Sequence, residues 1–242
     1  MKSLIFIPLV LLALSSFADA DQKQKVNTEA QLAENQILPL IPSEQIWFYG
    51  FIPKDAWVSH HYFLYNPHDD TVTITKMISG CECTHIPRGP VVIPPQQTYL
   101  LKSQFDTRTY SGELNRDIHI VTDYEPSPEM DLYFISLTAS APRSLSISPS
   151  STMFIKGKKS QSFIIKNKST KTTNVTVLTD NDSTLSVSDV NFKIKGQDEH
   201  ELIVKPHWED IEKGQHYSCV VLEITRKEEI FRIAIPIKIV LF

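Results

Sequence analysis

Glycine is scarce in this chain, 7 residues in 242. That excludes fibrous glycine repeats and a glycine-rich loop cradling phosphate. Positive charge is not in excess: 24 Lys and Arg stand against 28 Asp and Glu, a formal net charge of −4. Composition therefore gives no support to a basic groove for nucleic acid. Cysteine is both rare and odd in number, at 3 residues, so at least one thiol cannot enter an intramolecular bridge. Beyond the first 20 residues no apolar run approaches the ~20 residues of a membrane-spanning helix, so no transmembrane segment is expected in the mature chain. Catalytic signatures are missing as well: there is no G-x-S-x-G, no H-E-x-x-H and no Walker loop. Asp106, His119, Asp123 and Glu125 are read as isolated groups on strand faces and turns, and the chain is not expected to be an enzyme.

Hydrophobic residues make up 41% of the chain and charged residues 21%, which lies in the globular range. Met1 to Ala20 has a basic start at Lys2, an apolar run from Leu4 to Leu14 and the small-residue ending Ala18-Asp19-Ala20. This is the pattern of a cleaved export signal, and it implies a periplasmic or secreted protein. Removing 20 residues from 242 leaves 222, enough for about two domains of ~100 to 150 residues. Residues 21–45 are rich in Gln, Asn and Glu and are expected to form a flexible lead-in.

From Ile46 onward the sequence consists of short runs of period-two alternation separated by Pro, Asn and Asp, which predicts an all-β chain. Val58, His60, Tyr62 and Leu64 alternate with Ser59, His61, Phe63 and Tyr65 before the turn at Asn66-Pro67. Further strands are expected over Thr98 to Phe105, Arg116 to Thr122 and Leu132 to Ala139. Phe163, Ile165 and Asn167 echo Tyr62, Leu64 and Asn66 at an offset of 101 residues, and Val175 and Val177 are aligned with Val72 and Ile74 by inserting two residues. The expected architecture is two tandem immunoglobulin-like β-sandwich domains, over 46–141 and 145–242. A proline-stiffened link, Ser140 to Ser144, would set them end to end. The longest alternation, Phe231, Ile233, Ile235, Ile237 and Ile239, contains Pro236, which cannot donate to a ladder. It is therefore expected to lie at a sheet edge or to carry a bulge, and as an edge it would be the candidate surface for a binding partner.

The first module carries Trp47-Phe48-Tyr49-Gly50, a strand closing on Asn66, the loop Ser79-Gly80-Cys81-Glu82-Cys83-Thr84, the turn Val92-Ile93-Pro94-Pro95 and Phe105-Asp106-Thr107. In that order these motifs resemble the DUF1573 family of exported bacterial proteins over about residues 46–139. Here Gly80 precedes the first cysteine and Glu82 lies between the two. The resemblance implies a fold similar to ASH and MSP-type immunoglobulin-like domains, and a binding or scaffolding role. The cysteine pair has no counterpart in the second module.

Cys81, Cys83 and His85 form a Cys-x-Cys-x-His run. Thiolates and an imidazole at alternate positions could converge on Cu(I) or Zn(II), with His60, His61, His68 or Met77 as further ligands. Alternatively, a bridge between residues two apart closes a small strained ring of the kind found in labile redox disulfides. A third reading is a bridge, or a pair of packed thiols, that only pins a strand end. Cys219, in an alternating strand, is expected to be a core thiol. Three Asn-x-Ser/Thr sites, at Asn167, Asn174 and Asn181, match the glycosylation acceptor pattern, which the bacterial resemblance makes idle.

The sequence is thus read as a non-enzymatic exported protein, without a cofactor, that binds a protein or cell-envelope component. Thiol-based metal or redox chemistry is the alternative, and a periplasmic assembly chaperone a minor one. In pilus chaperones the subunit-capping strand closes the first module, whereas the clearest alternating strand here ends the second.

Overall fold

Alternation becomes strand throughout the computed structural model, which describes residues 38–242 except 109, 126, 140, 141, 180–183 and 228. The expected signal, residues 21–37 of the lead-in, Ser140 and Ala141 of the link, Pro126 and the acceptor site at Asn181 lie outside the described residues. In the first half the strands are β1 (Ile41–Pro42), β2 (Ile46–Ile52), β3 (Trp57–Tyr65), β4 (Val72–Ser79), β5 (Thr84–His85), β6 (Val91–Ile93), β7 (Thr98–Asp106), β8 (Gly112–Thr122) and β9 (Glu129–Thr138). In the second they are β10 (Leu145–Ser148), β11 (Thr152–Ile155), β12 (Gln161–Asn167), β13 (Thr173–Thr179), β14 (Leu185–Val187), β15 (Asn191–Ile194), β16 (Glu199–Pro206), β17 (Gly214–Arg226) and β18 (Glu229–Leu241). Among the described residues only a 3₁₀ turn at Trp208–Asp210 is helical.

Each half is an immunoglobulin-like sandwich, and the two have one topology. The first packs a small sheet, β1-β3-β7-β5, on β2-β9-β8-β4-β6; the second packs β10-β12-β16-β14 on a sheet containing β15-β13-β17-β18. Every pairing of one half recurs in the other nine strands later, including the parallel pairs β2 with β9 and β11 with β18. In the second half, Phe154, Phe163, Val175, Leu202, Leu222 and Ile235 are buried in one core drawn from both sheets. In the first, Phe105 and Phe134 meet across the sheets at 5.1 Å and Tyr62 donates to the Tyr133 carbonyl at 2.8 Å.

The repeat is sharpest at a buried asparagine. Asn66 Nδ2 donates to the carbonyls of Asp70, Ile93 and Pro94, and Asn167 Nδ2 to those of Lys171, Ile194 and Lys195, each 101 residues on. Gln96 and Gln197, both at positive φ (59° and 65°), close the two turns with side-chain bonds back to residues 67 and 168. This network corrects the two-residue insertion. Val72 pairs with Ile93 and Thr173 with Ile194, so Thr173 occupies the place of Val72, and Val175 that of Ile74. The polar Thr173 is buried there because its hydroxyl accepts from Arg226 Nε at 3.1 Å.

The two large sheets join. β2 lies beside β9 on one side and β18 on the other, with Phe51 opposite Ile233, so a single sheet runs β15-β13-β17-β18-β2-β9-β8-β4-β6. The halves therefore lie side by side along a shared sheet, not end to end. The expected edge strand is likewise corrected: β18 is internal, paired along its whole length with β17 and on its other side with β2 and β11. Ile233, Ile235, Ile237 and Ile239 are core residues, and Phe231 packs against that core. Pro236 is tolerated because the neighbours on that side pair at 233 and at 237–240, leaving its position between them.

Candidate functional site

The β17–β18 hairpin turns its even-numbered β17 and odd-numbered β18 positions into the second core, and its opposite face onto the first sandwich. Four successive rungs of that face form the seam: Tyr217 with Lys238, Cys219 with Pro236, Val221 with Ala234, and Glu223 with Arg232. The middle rungs are small and buried, and Cys219 Sγ donates to the Ser59 carbonyl of β3 at 3.2 Å. Cys219 is thus buried as expected, but at the seam between the sandwiches. The outer rungs end on tryptophans of the first sandwich. Tyr217 stacks on Trp57 at 4.8 Å and 18°, with the Arg108 guanidinium 5.5 Å from the Trp57 ring and Lys238 Nζ 5.7 Å from the Tyr217 ring. At the other end Arg232 pairs with Glu223 at 2.9 Å, lies 5.1 Å from the Trp47 ring, and donates to the Phe48 carbonyl. His60 stacks on that Trp47 at 4.1 Å and bonds Glu44 at 2.8 Å.

Cys81 and Cys83 are joined by a disulfide in the loop between β4 and β5, beside the Trp57 end of this seam. Cys81 is partly exposed and Cys83 buried. The loop is also held by backbone bonds: Gly80 N–H donates to the Asp117 carbonyl at 3.0 Å and Asp106 N–H to the Cys83 carbonyl at 2.9 Å. The Thr84 hydroxyl is buried against the sulfurs, 3.3 Å from Cys81 Sγ and 3.9 Å from Cys83 Sγ. His85 is exposed on β5, its ring 4.9 Å from that of Trp57. The metal reading needs both thiolates, which the bridge consumes. Among the described residues, the group whose ligand atoms converge within 4.8 Å is instead His207, Glu209 and Asp210, at the 3₁₀ turn. His68, offered as an extra ligand, stacks on Tyr124 and bonds the Pro39 carbonyl.

The bridge contributes little to the fold. On loop-entropy grounds, a closed loop of three residues constrains the unfolded chain by about 1.6 kcal/mol, against about 3 for one of fifteen. Backbone bonds already fix its two ends. The neighbouring Asp106-Thr107 motif is the stronger anchor: buried Thr107 Oγ1 donates toward the Pro53 and Ala56 carbonyls and accepts from Ala56 N–H. Burial alone would raise the Asp106 carboxyl. The Arg108 side chain, backbone N–H and charge, together with His85, outweigh that and hold it below its ordinary value.

Ser188, Asp189 and His200 also lie together, but Asp189 Oδ2 takes the Ser188 hydroxyl at 2.8 Å and faces His200 Nε2 at 3.3 Å. The carboxylate stands between hydroxyl and ring, so the imidazole is not placed to act as base toward Ser188. Sequence reasoning missed Thr84, Trp57 and Tyr217.

Fold and loop together define a tandem immunoglobulin-like β-sandwich protein with a bridged Cys-x-Cys loop. Residues 42–135, the first sandwich, match the family model of DUF1573, described as a protein of unknown function. The motifs from Trp47 to Thr107 thus carry the resemblance that the sequence suggested. No curated protein matches the chain. Among solved structures, a protein of unknown function from Porphyromonas gingivalis is similar at 10% identity over 83% of this chain and 100% of that one, with a TM-score of 0.35. A C. elegans MSP family member is similar at 12% identity over 41% of this chain and 98% of that one, with a TM-score of 0.33. The E. coli chaperone DraB is similar at 12% identity over 81% of this chain and 96% of that one, with a TM-score of 0.34.

Proposed function

We propose that the protein is an exported, non-enzymatic binding module, periplasmic or secreted, that holds a protein or other cell-envelope component on a sandwich surface. The observation that carries this reading is an apolar patch on the outer face of the first small sheet. Phe63 lies opposite Leu100 and Tyr65 opposite Ile41, and Leu100 and Ile41 are 43% and 50% exposed. Contiguous apolar surface on a rigid sheet is the usual mark of an interaction site. Strand addition is the weaker route. β18 is committed to the second core, and the outermost strands of the large sheet, β6 and β15, have three and four residues. The same commitment of β18 leaves a chaperone reading without a free capping strand.

The test is capture from envelope extract by the immobilised chain and by a Leu100→Glu, Ile41→Glu double variant of unchanged thermal stability. The expected result is a component retained by the parent and lost by the variant. A parent chain that captures nothing and stays monomeric overturns the reading.

A further inference from the structure

The binding reading leaves the Cys81–Cys83 bridge unused, and the second sandwich serves as its internal control. There β14 pairs with β16, Leu185 opposite Pro206 and Ser186 opposite Lys205, as β5 pairs with β7, Thr84 opposite Phe105 and His85 opposite Gln104. The counterpart of Thr84 is therefore Leu185, and that of Cys83 is Thr184. One sandwich places this strand without a bridge, so the fold does not require one. What the first sandwich adds is a pair of sulfurs, one partly exposed and one buried, with a buried hydroxyl against both where its twin has an apolar side chain.

We propose that Cys81 and Cys83 form a thiol–disulfide exchange centre that oxidises dithiols of other polypeptides. A partner thiolate attacks Cys81 Sγ, the accessible sulfur. The Cys81–Cys83 bond breaks and its electron pair passes to Cys83 Sγ, which takes up a proton; the Thr84 hydroxyl donates to the sulfur as charge develops there. The partner's second thiolate then attacks the partner sulfur of the mixed disulfide and releases Cys81 as a thiolate, which is protonated. The partner loses two electrons and two protons and gains a disulfide; this chain ends as a dithiol. The proposal does not rest on the binding reading, because cysteine variants leave the Ile41 and Leu100 face intact.

The test equilibrates the full chain with mixtures of reduced and oxidised glutathione, quenches with acid, alkylates in denaturant and weighs the product. The expected result is a reversible change from one alkylated cysteine to three, with the melting temperature little altered. A bridge that stays closed in a large excess of reduced glutathione, or whose reduction melts the first sandwich, overturns the proposal. Single variants separate the sulfurs. With oxidised glutathione, Cys81 in Cys83→Ser is expected to form the mixed disulfide about ten times faster than Cys83 in Cys81→Ser. Equal or inverted rates overturn the assignment of the attacked sulfur. Thr84→Val slows reduction of the bridge and Thr84→Ser restores it; a Thr84→Val chain reduced at the parental rate removes the hydroxyl from the mechanism.

Discussion

The thiol of Cys219 donates to the backbone carbonyl of Ser59, tying β17 to β3 across 160 positions of sequence. It lies on one of the two buried middle rungs of the seam, with half-buried Tyr217 and Lys238 on one side and buried Val221 and Ala234 on the other. Cys219→Ala is expected to cost about 1 to 2 kcal/mol, through a lost weak bond and a small void. Denaturant titration of the full chain measures it, and the thiol should resist alkylation until the protein unfolds.

Gly50 approaches the same seam from the other side. It holds φ at +71°, and a Cβ there would overlap the backbone carbonyl of Arg232, which cannot swing aside. Gly50→Ala is expected to cost about 2 to 4 kcal/mol, combining left-handed strain with displacement of β18. Thermal unfolding reads the loss, and parental stability in the variant would mean that the close approach is relaxed in solution.

Asn66 and Asn167 make the same three side-chain bonds in their own sandwiches. Substituting either with Ala removes all three bonds and strips the side-chain donor from the buried carbonyl of Ile93 or Ile194, while the carbonyls of Pro94 and Lys195 keep the backbone N–H bonds of Gln97 and Asp198; the expected cost is about 2 to 4 kcal/mol. The two losses should agree closely, and unfolding curves of the single variants compare them.

Trp57 and Tyr217 belong to different sandwiches and stack on one another. A double-mutant cycle with Trp57→Ala and Tyr217→Ala is expected to give a coupling of about 0.5 to 1.5 kcal/mol. Additive losses would show that the stack does not hold the seam.

Asp106 gives a pH signature. Its folded carboxyl titrates below the ordinary value of 3.8, so its stabilisation is complete above that value and is lost as pH falls through the lower folded one. The stability difference between the parent and Asp106→Asn should be flat at neutral pH and shrink in acid below that value. Urea midpoints across the acid range check this, and a difference that instead grew in acid would contradict the assigned direction.

The all-β class was legible because alternation is written locally, and the repeat because the Asn66 network keeps its spacing through 101 residues. The misalignment of Val175 came from Thr173: a buried polar residue breaks the apolar pattern, and its partner Arg226 is 53 residues away. β18 was misread as an edge because Pro236 signals only a missing donor, not that β2 and β11 flank the gap. Arg232 and Lys238 look like solvent-facing charges in sequence, yet they cover Trp47 and Tyr217 at the seam. Ser59 and His61 lie on the outward parity of β3 and are nonetheless buried. The cysteine pair was visible from its spacing. The bridge, and the hydroxyl beside it, depend on how β5 meets β7, which spacing does not encode.

The placement of β18 between β17 and β2 also orders the making of the protein. Synthesis proceeds from the N-terminus, and β1 to β9 include all the pairings of the first sandwich apart from the seam, so that half can close while the second is still being made. The second half cannot: β11 awaits a partner strand that emerges more than 70 residues later, and β2 keeps one flank open until the same strand arrives. The last 13-residue strand therefore completes one core and joins both halves in a single event. A ribosome stalled short of residue 229 would hold a finished first domain beside an open apolar sheet, the species most in need of a chaperone.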